Sequence, residues 1–287
     1  MTDLRDVLAV QPGRFRLADV DPGSTPGLPD ERPVREDPRQ WSAGQVAAIG
    51  EELASYQEKL FASAKMKATD RRVLLVLQAM DCGGKDGAVR NVLRGMNPVG
   101  IKAVGFGPPD DEERRHDFLW RIRRALPEPG HVGVFNRSHY EDVLVVRVHD
   151  LVPEEVWRKR YDQINAFEDE LAASGLTMVK VMLHISKQEQ RERLLARLDD
   201  PARWWKYGPG DLTERARWDD YQQAYEDALN RCSTATAPWY VVPADRKWYR
   251  NWAVANLLRQ AMAEVDPGYP EPDFDVAAER AKLLAAP

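Results

Sequence analysis

The run Val73-Leu74-Leu75-Val76-Leu77-Gln78-Ala79-Met80-Asp81-Cys82-Gly83-Gly84-Lys85-Asp86-Gly87-Ala88 constrains the fold more than any other part of the chain. Its first half is a strand-sized, valine- and leucine-rich stretch, the pattern of a parallel strand buried on both faces. Its second half is a glycine-rich turn that opens a helix. Gly83, Gly84 and Gly87 let backbone N–H groups at the helix start close around an anion, and Lys85 adds a point charge. The loop departs from the Walker A pattern: Ala79 stands where the first glycine belongs, and Asp86 where Ser or Thr would ligate magnesium. Asp81 and Asp86 offer carboxylate oxygens that can hold a divalent cation instead. An ordinary strand-to-helix turn is the alternative reading.

The remainder alternates helical and strand patterns. Six prolines in the first forty residues predict an extended arm over 1–41, ahead of a single core over 42–270 and a tail over 271–287. Ser42 with Gln45 forms a capping box for a helix over 42–67, and the helix after the glycine turn is expected to reach about Gly95. A strand near Ala103–Phe106 precedes a helix over about 110–126, which starts acidic and ends at Pro127. Then come a strand at Val132–Phe135, a helix over 153–173 and a strand at Met178–Leu183. Ser186 with Glu189 caps the next helix; a loop over Pro201–Asp211 follows, then a long helical stretch to about Arg231. A strand at Trp239–Val242 and a helix over 246–264 complete the set. Five strands separated by helices imply an α/β fold: a mostly parallel sheet covered on both faces, with its ligand cleft at the carboxyl ends of the strands.

Composition excludes several classes. No apolar stretch reaches the length of a membrane span, so no membrane partner is expected. The net charge of −5 argues against a basic surface for nucleic acid, so any polyanion must meet a local basic groove. The start Met1-Thr2-Asp3-Leu4-Arg5-Asp6 lacks an export pattern, and a cytoplasmic location is expected. Cys82 and Cys232 have neither disulfide-framework nor zinc spacing. The histidines offer no metal pattern; His184, at a strand end, reads as structural.

Two further segments carry charge to the strand ends. Asn136 and Arg137 directly follow the third strand, where an amide can orient phosphate and a guanidinium can grip a phosphoryl group through two hydrogen bonds. Glu141 and Asp142 stand close by as ligands or structural partners; taken alone, this cluster is equally a helix cap with an Arg–Glu pair. The segment Arg193–Arg217 holds Arg197, Arg203, Lys206, Arg215 and Arg217 with tryptophans between them. It suits a mobile basic flap closing over the cleft, or a solvated face balanced by Asp199, Asp200, Asp211 and Glu214. Trp218, Tyr221 and Tyr225 share one helical face and read as core.

At these residues a resemblance becomes specific. The loop Asp81–Gly87, the string Phe135-Asn136-Arg137-Ser138-His139-Tyr140-Glu141-Asp142-Val143-Leu144, the segment Trp205–Leu212 with Trp218–Tyr221, and Pro238–Lys247 resemble family-2 polyphosphate kinases, in family order over about residues 14–270. The resemblance implies a three-layer αβα P-loop kinase fold of the thymidylate-kinase type with a helical lid over about 197–232. It also implies transfer of the terminal phosphoryl group of inorganic polyphosphate to a nucleotide with Mg²⁺, Mn²⁺ being an alternative metal. Family members restricted to nucleoside diphosphates carry an acid where Asn136 stands, so the chain resembles class III, which phosphorylates AMP and ADP in a reversible series ending at ATP. By the same resemblance Asp81 is a magnesium ligand or acceptor-side acid and Lys85 the phosphate clamp, while Asn136 and Arg137 bind acceptor and transferring phosphates. Gly83, Gly84, Asp86, Gly87, Arg90, Arg197, Arg203 and Lys206 are expected on the polyphosphate, with Arg94, Arg246 and Lys247 as weaker candidates; Tyr140 and Glu141 join the nucleotide site. Adenine nucleotides are the expected acceptors, guanine being left open, and a homodimer or homotetramer is implied.

An ATP-dependent nucleoside or nucleotide kinase of the thymidylate-kinase type would share the loop, sheet and lid, and the phosphoryl donor separates the two. A non-catalytic nucleotide or polyphosphate sensor is the remaining alternative, against which the presence of Asp81, Lys85 and Arg137 argues.

Overall fold

The computed structural model describes residues 3–286; the outermost residues of the expected arm and tail, 1–2 and 287, lie outside them. In chain order the elements are α1 (Leu4–Leu8), α2 (Arg32–Glu36), α3 (Pro38–Lys65), β1 (Arg72–Ala79), α4 (Lys85–Val92), β2 (Ile101–Gly105), α5 (Trp120–Ala125), β3 (Val132–Asn136), α6 (Val145–Val148), α7 (Glu154–Ala173), β4 (Leu176–His184), α8 (Lys187–Leu198), α9 (Gly210–Ala216), α10 (Trp218–Cys232), β5 (Trp239–Pro243), α11 (Lys247–Val265) and α12 (Val276–Ala285). The strands form one sheet in the order β2-β3-β1-β4-β5, with every pairing parallel. Successive strand residues point to opposite faces, and β1 is buried from Val73 to Ala79, so helices cover both sides. The α/β sheet expected from the sequence is the one observed.

The strand order places the site. β1 continues to the far edge strand β2, and β3 then inserts between them, so the carboxyl ends of β1 and β3 lie side by side with Leu77 opposite Asn136. The backbone N–H of Arg137 donates to the carbonyl of Leu77 at 3.0 Å, which brings the residues after β3 against the loop after β1. On β5, an edge strand, the arm covers the exposed ladder: Ala9 bridges Tyr240 antiparallel, and Val10 N donates to the Trp239 carbonyl. Leu4, Leu8, Val10 and Leu17 thereby join the core.

Several element boundaries differ from the expectations. The long first helix begins at Pro38 behind the N-cap Asp37, and Ser42 is no cap; it is buried and donates to the Trp248 carbonyl, tying α3 to α11. The helix after the loop ends at Val92 rather than Gly95, whose φ of +96° does not continue a helix. The stretch 110–126 is not one helix. Asp110 and Glu113 cap each other over a single 3₁₀ turn, and Asp117 then accepts from Leu119 N to begin the separate α5. The stretch after the lid loop is likewise two helices, α9 and α10, parted at Arg217. The tail contains α12, which buries none of its residues.

His184 ends β4 at 5 % exposure, and its Nδ1 has no hydrogen-bond partner among the described residues. Burial pushes its pKa down to about 4. The imidazole is neutral in the fold, whereas in the unfolded chain it takes up a proton below about pH 6.5. Its stabilising contribution is therefore present above that pH and is lost as pH falls toward 4, by about 2 kcal/mol at pH 5. Denaturant unfolding of the wild type and His184→Asn at pH 7 and pH 5 should show the difference between them shrinking at the lower pH; an unchanged difference rules this out.

Candidate active site

The glycine turn is held in a conformation that only small residues permit. Gly84 is the N-cap of α4 at φ +96°, and a Cβ there would overlap the guanidinium of Arg250. One on Gly87 would lie 2.8 Å from Arg250 Nη2, and one on Gly83 2.9 Å from the Met80 carbonyl oxygen. Cys82 adopts φ +64°, also left-handed. The turn is thus packed from beneath by a cation. Arg250 is 4 % exposed and has no carboxylate partner among the described residues; its Nε and Nη2 both donate to Asn251 Oδ1. Burial and the neighbouring Arg193 lower its pKa to about 10, so it remains charged at neutral pH. Arg193 donates to the carbonyls of Cys82 at 2.8 Å and Ala244 at 2.6 Å, clamping the turn to the end of β5.

Lys85 opens α4 and is 8 % exposed, with Nζ donating to the Ala79 carbonyl at 3.0 Å. One of its three N–H donors is used in that bond. Burial, then the Arg137 charge, pulls its pKa below the usual lysine range. The cleft beside the turn stays open, with a volume of about 260 Å³, and Asp81, Arg137, Glu141, Gln190, Tyr221 and Tyr225 are among its lining residues. Arg137 has φ +66°, a left-handed conformation uncommon for a residue with a Cβ. Its Nη2 donates to Asp81 Oδ1 at 3.0 Å, and Nη1 lies 4.0 Å from Glu141 Oε2. Burial opposes its charge, but Glu141 and Asp81 outweigh that and raise its pKa. Glu141 is oriented by Gln78, whose Nε2 donates to Oε1 at 2.9 Å.

The lid reaches the turn through Asp86. Its carboxylate accepts from Asn136 Nδ2 at 2.9 Å and from Lys206 Nζ at 2.7 Å, and these contacts, Lys206 foremost, lower its pKa. Asn136 therefore touches the loop and, through Asp86, the lid. Arg197 donates to the Lys206 carbonyl at 2.7 Å and so braces the lid loop without lining the cleft.

Of the expected site residues, Asp81, Arg137 and Glu141 line the cleft; Gly83, Gly84, Lys85, Asp86 and Gly87 form the turn beside it, contacted by Asn136 and Lys206; and, besides Arg197, three lie elsewhere. Tyr140 has no exposed surface; its hydroxyl donates to Glu168 in the core because the 3₁₀ turn after Ser138 rotates it inward, while Glu141 faces the cleft. Arg90 is exposed on α4 and lines no part of the cleft. Arg203 pairs with Asp200 at 2.8 Å on the exposed side of the lid. Of the weaker candidates, Arg94 borders a separate groove with Trp248, and Arg246 donates to the Gly23 carbonyl of the arm. Sequence reasoning missed Arg250, Gln190 and the pair His149–Glu214, whose nitrogen and oxygen are 3.0 Å apart at the cleft, and took Arg193 only as the start of the basic segment. No local motif marks them, since each reaches the site only by tertiary packing. Tyr221 and Tyr225 are buried as expected, yet they also form a wall of the cleft.

The chain matches the family model described as polyphosphate kinase 2 over residues 44–269. It is 47% identical over 265 residues to the AMP/ADP-polyphosphate phosphotransferase of Meiothermus ruber, covering 92% of this chain and 95% of that one. It is 45% identical over 246 residues, 82% of each chain, to the ADP-polyphosphate phosphotransferase of Rhodopseudomonas palustris. The crystal structure of polyphosphate kinase 2 from Arthrobacter aurescens superposes with a TM-score of 0.93 at 48% identity, over 99% of this chain and 98% of that one. A glycine turn floored by a buried guanidinium, an acid–arginine pair beside it and a basic segment tied to it therefore sit on a backbone shared nearly end to end with that crystal structure, and with the family model matching most of its length the chain belongs to the polyphosphate kinase 2 family.

Proposed function

We propose that the protein transfers the terminal phosphoryl group of inorganic polyphosphate to AMP and to ADP, giving ADP and ATP. The pairing of Arg137 with Asp81 on one open cleft, with buried Lys85 tied to the Ala79 carbonyl at its edge, carries this reading, together with relatives whose names specify AMP/ADP–polyphosphate phosphotransfer. Donor phosphates rest against the amides of the 83–87 turn, where Lys85, Arg193 and Arg250 supply positive charge from below. Arg137 stabilises charge on the transferring group, and the lid carrying Lys206 excludes water.

A divalent cation fits this site. Among the described residues no three acidic or soft ligands cluster. Asp81 and Glu141 both face the cleft, however, and a cation held by one or two carboxylates and completed by substrate phosphates and water is the usual arrangement for Mg²⁺. When bound, it neutralises charge on the phosphates; Asp81 and Glu141 are its proposed holders. Asn136 leaves an amide rather than a second carboxylate beside Asp86, which keeps negative charge away from an acceptor monophosphate.

The test is an assay free of ATP with purified protein, Mg²⁺ and polyphosphate, offered AMP or ADP. ADP and then ATP are expected from AMP. Phosphorylation that requires ATP and ignores polyphosphate would overturn the donor assignment, and GMP and GDP in parallel measure base preference.

A further inference from the structure

Beneath the cleft lies a polar cluster that the chemistry above does not use. Glu168 of α7 accepts from the Tyr140 hydroxyl at 2.8 Å and lies 3.2 Å from His139 Nε2. Lys180, in the middle of β4, donates to Glu168, to Tyr140 Oη at 2.8 Å and to the Cys232 carbonyl at 2.6 Å. All three ammonium donors are thereby engaged. Tyr140, His139 and Lys180 have no exposed surface, and Glu168 has 1 %. A fully buried Lys–Glu pair rarely stabilises a protein more than apolar side chains of the same volume would, because both charges lose hydration. Stability alone is a poor reason for its presence; what it supplies is geometry.

The cluster joins the turn carrying Arg137 and Glu141, helix α7, strand β4 and the carboxyl end of α10, whose other residues include Tyr221 and Tyr225 of the cleft wall. Arg137 occupies a strained left-handed conformation, which persists only where the surroundings over-determine it, and residues 138–140 directly after it are wholly buried. We propose that Tyr140, Glu168 and Lys180 are positioning residues for phosphoryl transfer: their network locks the 138–142 turn against the base of the lid helix and so fixes where the Arg137 guanidinium points. Misplacement by about 1 Å at such a group lowers rates by up to roughly 10²-fold.

Tyr140→Phe is the test, because the ring keeps its edge-on packing against Trp239 and only the shared hydroxyl is lost. On the phosphotransfer reading above, kcat should fall roughly 10-fold or more, with KM for AMP and for polyphosphate within about threefold. The same substitution added to Arg137→Ala should cause no further loss, since the network acts through that side chain. Ser63→Ala, which removes a buried hydroxyl bonded to the Gly268 carbonyl far from the cleft, controls for destabilisation and should leave kcat unchanged. Full activity in Tyr140→Phe, an equal loss in both backgrounds, or an equal loss in Ser63→Ala would each overturn the proposal. Absence of polyphosphate-dependent turnover in the wild type would instead refute the phosphotransfer reading itself.

Discussion

Arg137→Ala is expected to lower kcat by roughly 10³-fold, with a much smaller change in KM, because a guanidinium directed at a transferring phosphoryl group acts mainly on the transition state. Arg137 is the cation paired with Asp81 at 3.0 Å and flanked by Glu141, so its removal both deletes positive charge and leaves two carboxylates facing the incoming phosphates. Lys85→Ala should match it in order of magnitude, since Lys85 is the ammonium group at the start of the helix proposed to receive the donor. Arg137→Lys separates charge from shape: lysine is a point charge without the planar fork and should recover only part of the loss. Steady-state rates with polyphosphate and AMP decide the matter. Rates within tenfold of wild type for both alanine variants would remove Arg137 and Lys85 from the reaction.

Gly84→Ala should be among the most damaging single-methyl changes at the cleft. Gly84 lies at φ +96°, where an L-residue costs about 1–3 kcal/mol, and its new methyl would overlap the Arg250 guanidinium. Arg250 has no room to retreat, being 4 % exposed and bonded through two nitrogens to Asn251. The turn therefore yields, and its amides leave the positions proposed to hold the donor. A fall of roughly 10²-fold in kcat/KM for polyphosphate is expected, accompanied by a lower unfolding midpoint. Gly44→Ala provides the contrast: it is exposed on α3, nothing lies within 4 Å of its Cβ position, and it should gain up to about 1 kcal/mol of helix stability with unchanged kinetics. If Gly84→Ala behaved like Gly44→Ala, the packing of the turn on Arg250 would have no functional consequence.

The parts legible in the sequence share a property: their signal is local. β1 and β4 are continuous apolar runs, and Ser186 capping Glu189 N is a four-residue pattern, so each is specified by residues that touch within the element itself. The same holds for the glycine turn, whose spacing fixes what its backbone can do. The errors arose where a distant partner outbid a local pattern. Ser42 has a capping-box neighbour in Gln45 but binds the carbonyl of Trp248, two hundred residues on, while Asp37 and Pro38 start the helix one turn earlier. Tyr140 sits inside a polar string that reads as one site, yet a 3₁₀ turn alternates its neighbours between cleft and core, sending Tyr140 to Glu168 and Glu141 to Gln78.

From its order of residues alone, the chain determined a parallel α/β sheet, a glycine turn at the end of β1 and a polar cluster at the end of β3, because backbone preference and hydrophobic period act over a few residues. The tertiary structure alone decided which charges meet. Insertion of β3 between β2 and β1 brings Arg137 to Asp81, and the packing of α8 and α11 sets Arg193 and Arg250 under the glycines. Such encounters depend on strand order and helix docking, which are properties of the whole core and leave no mark in the spacing of the residues concerned.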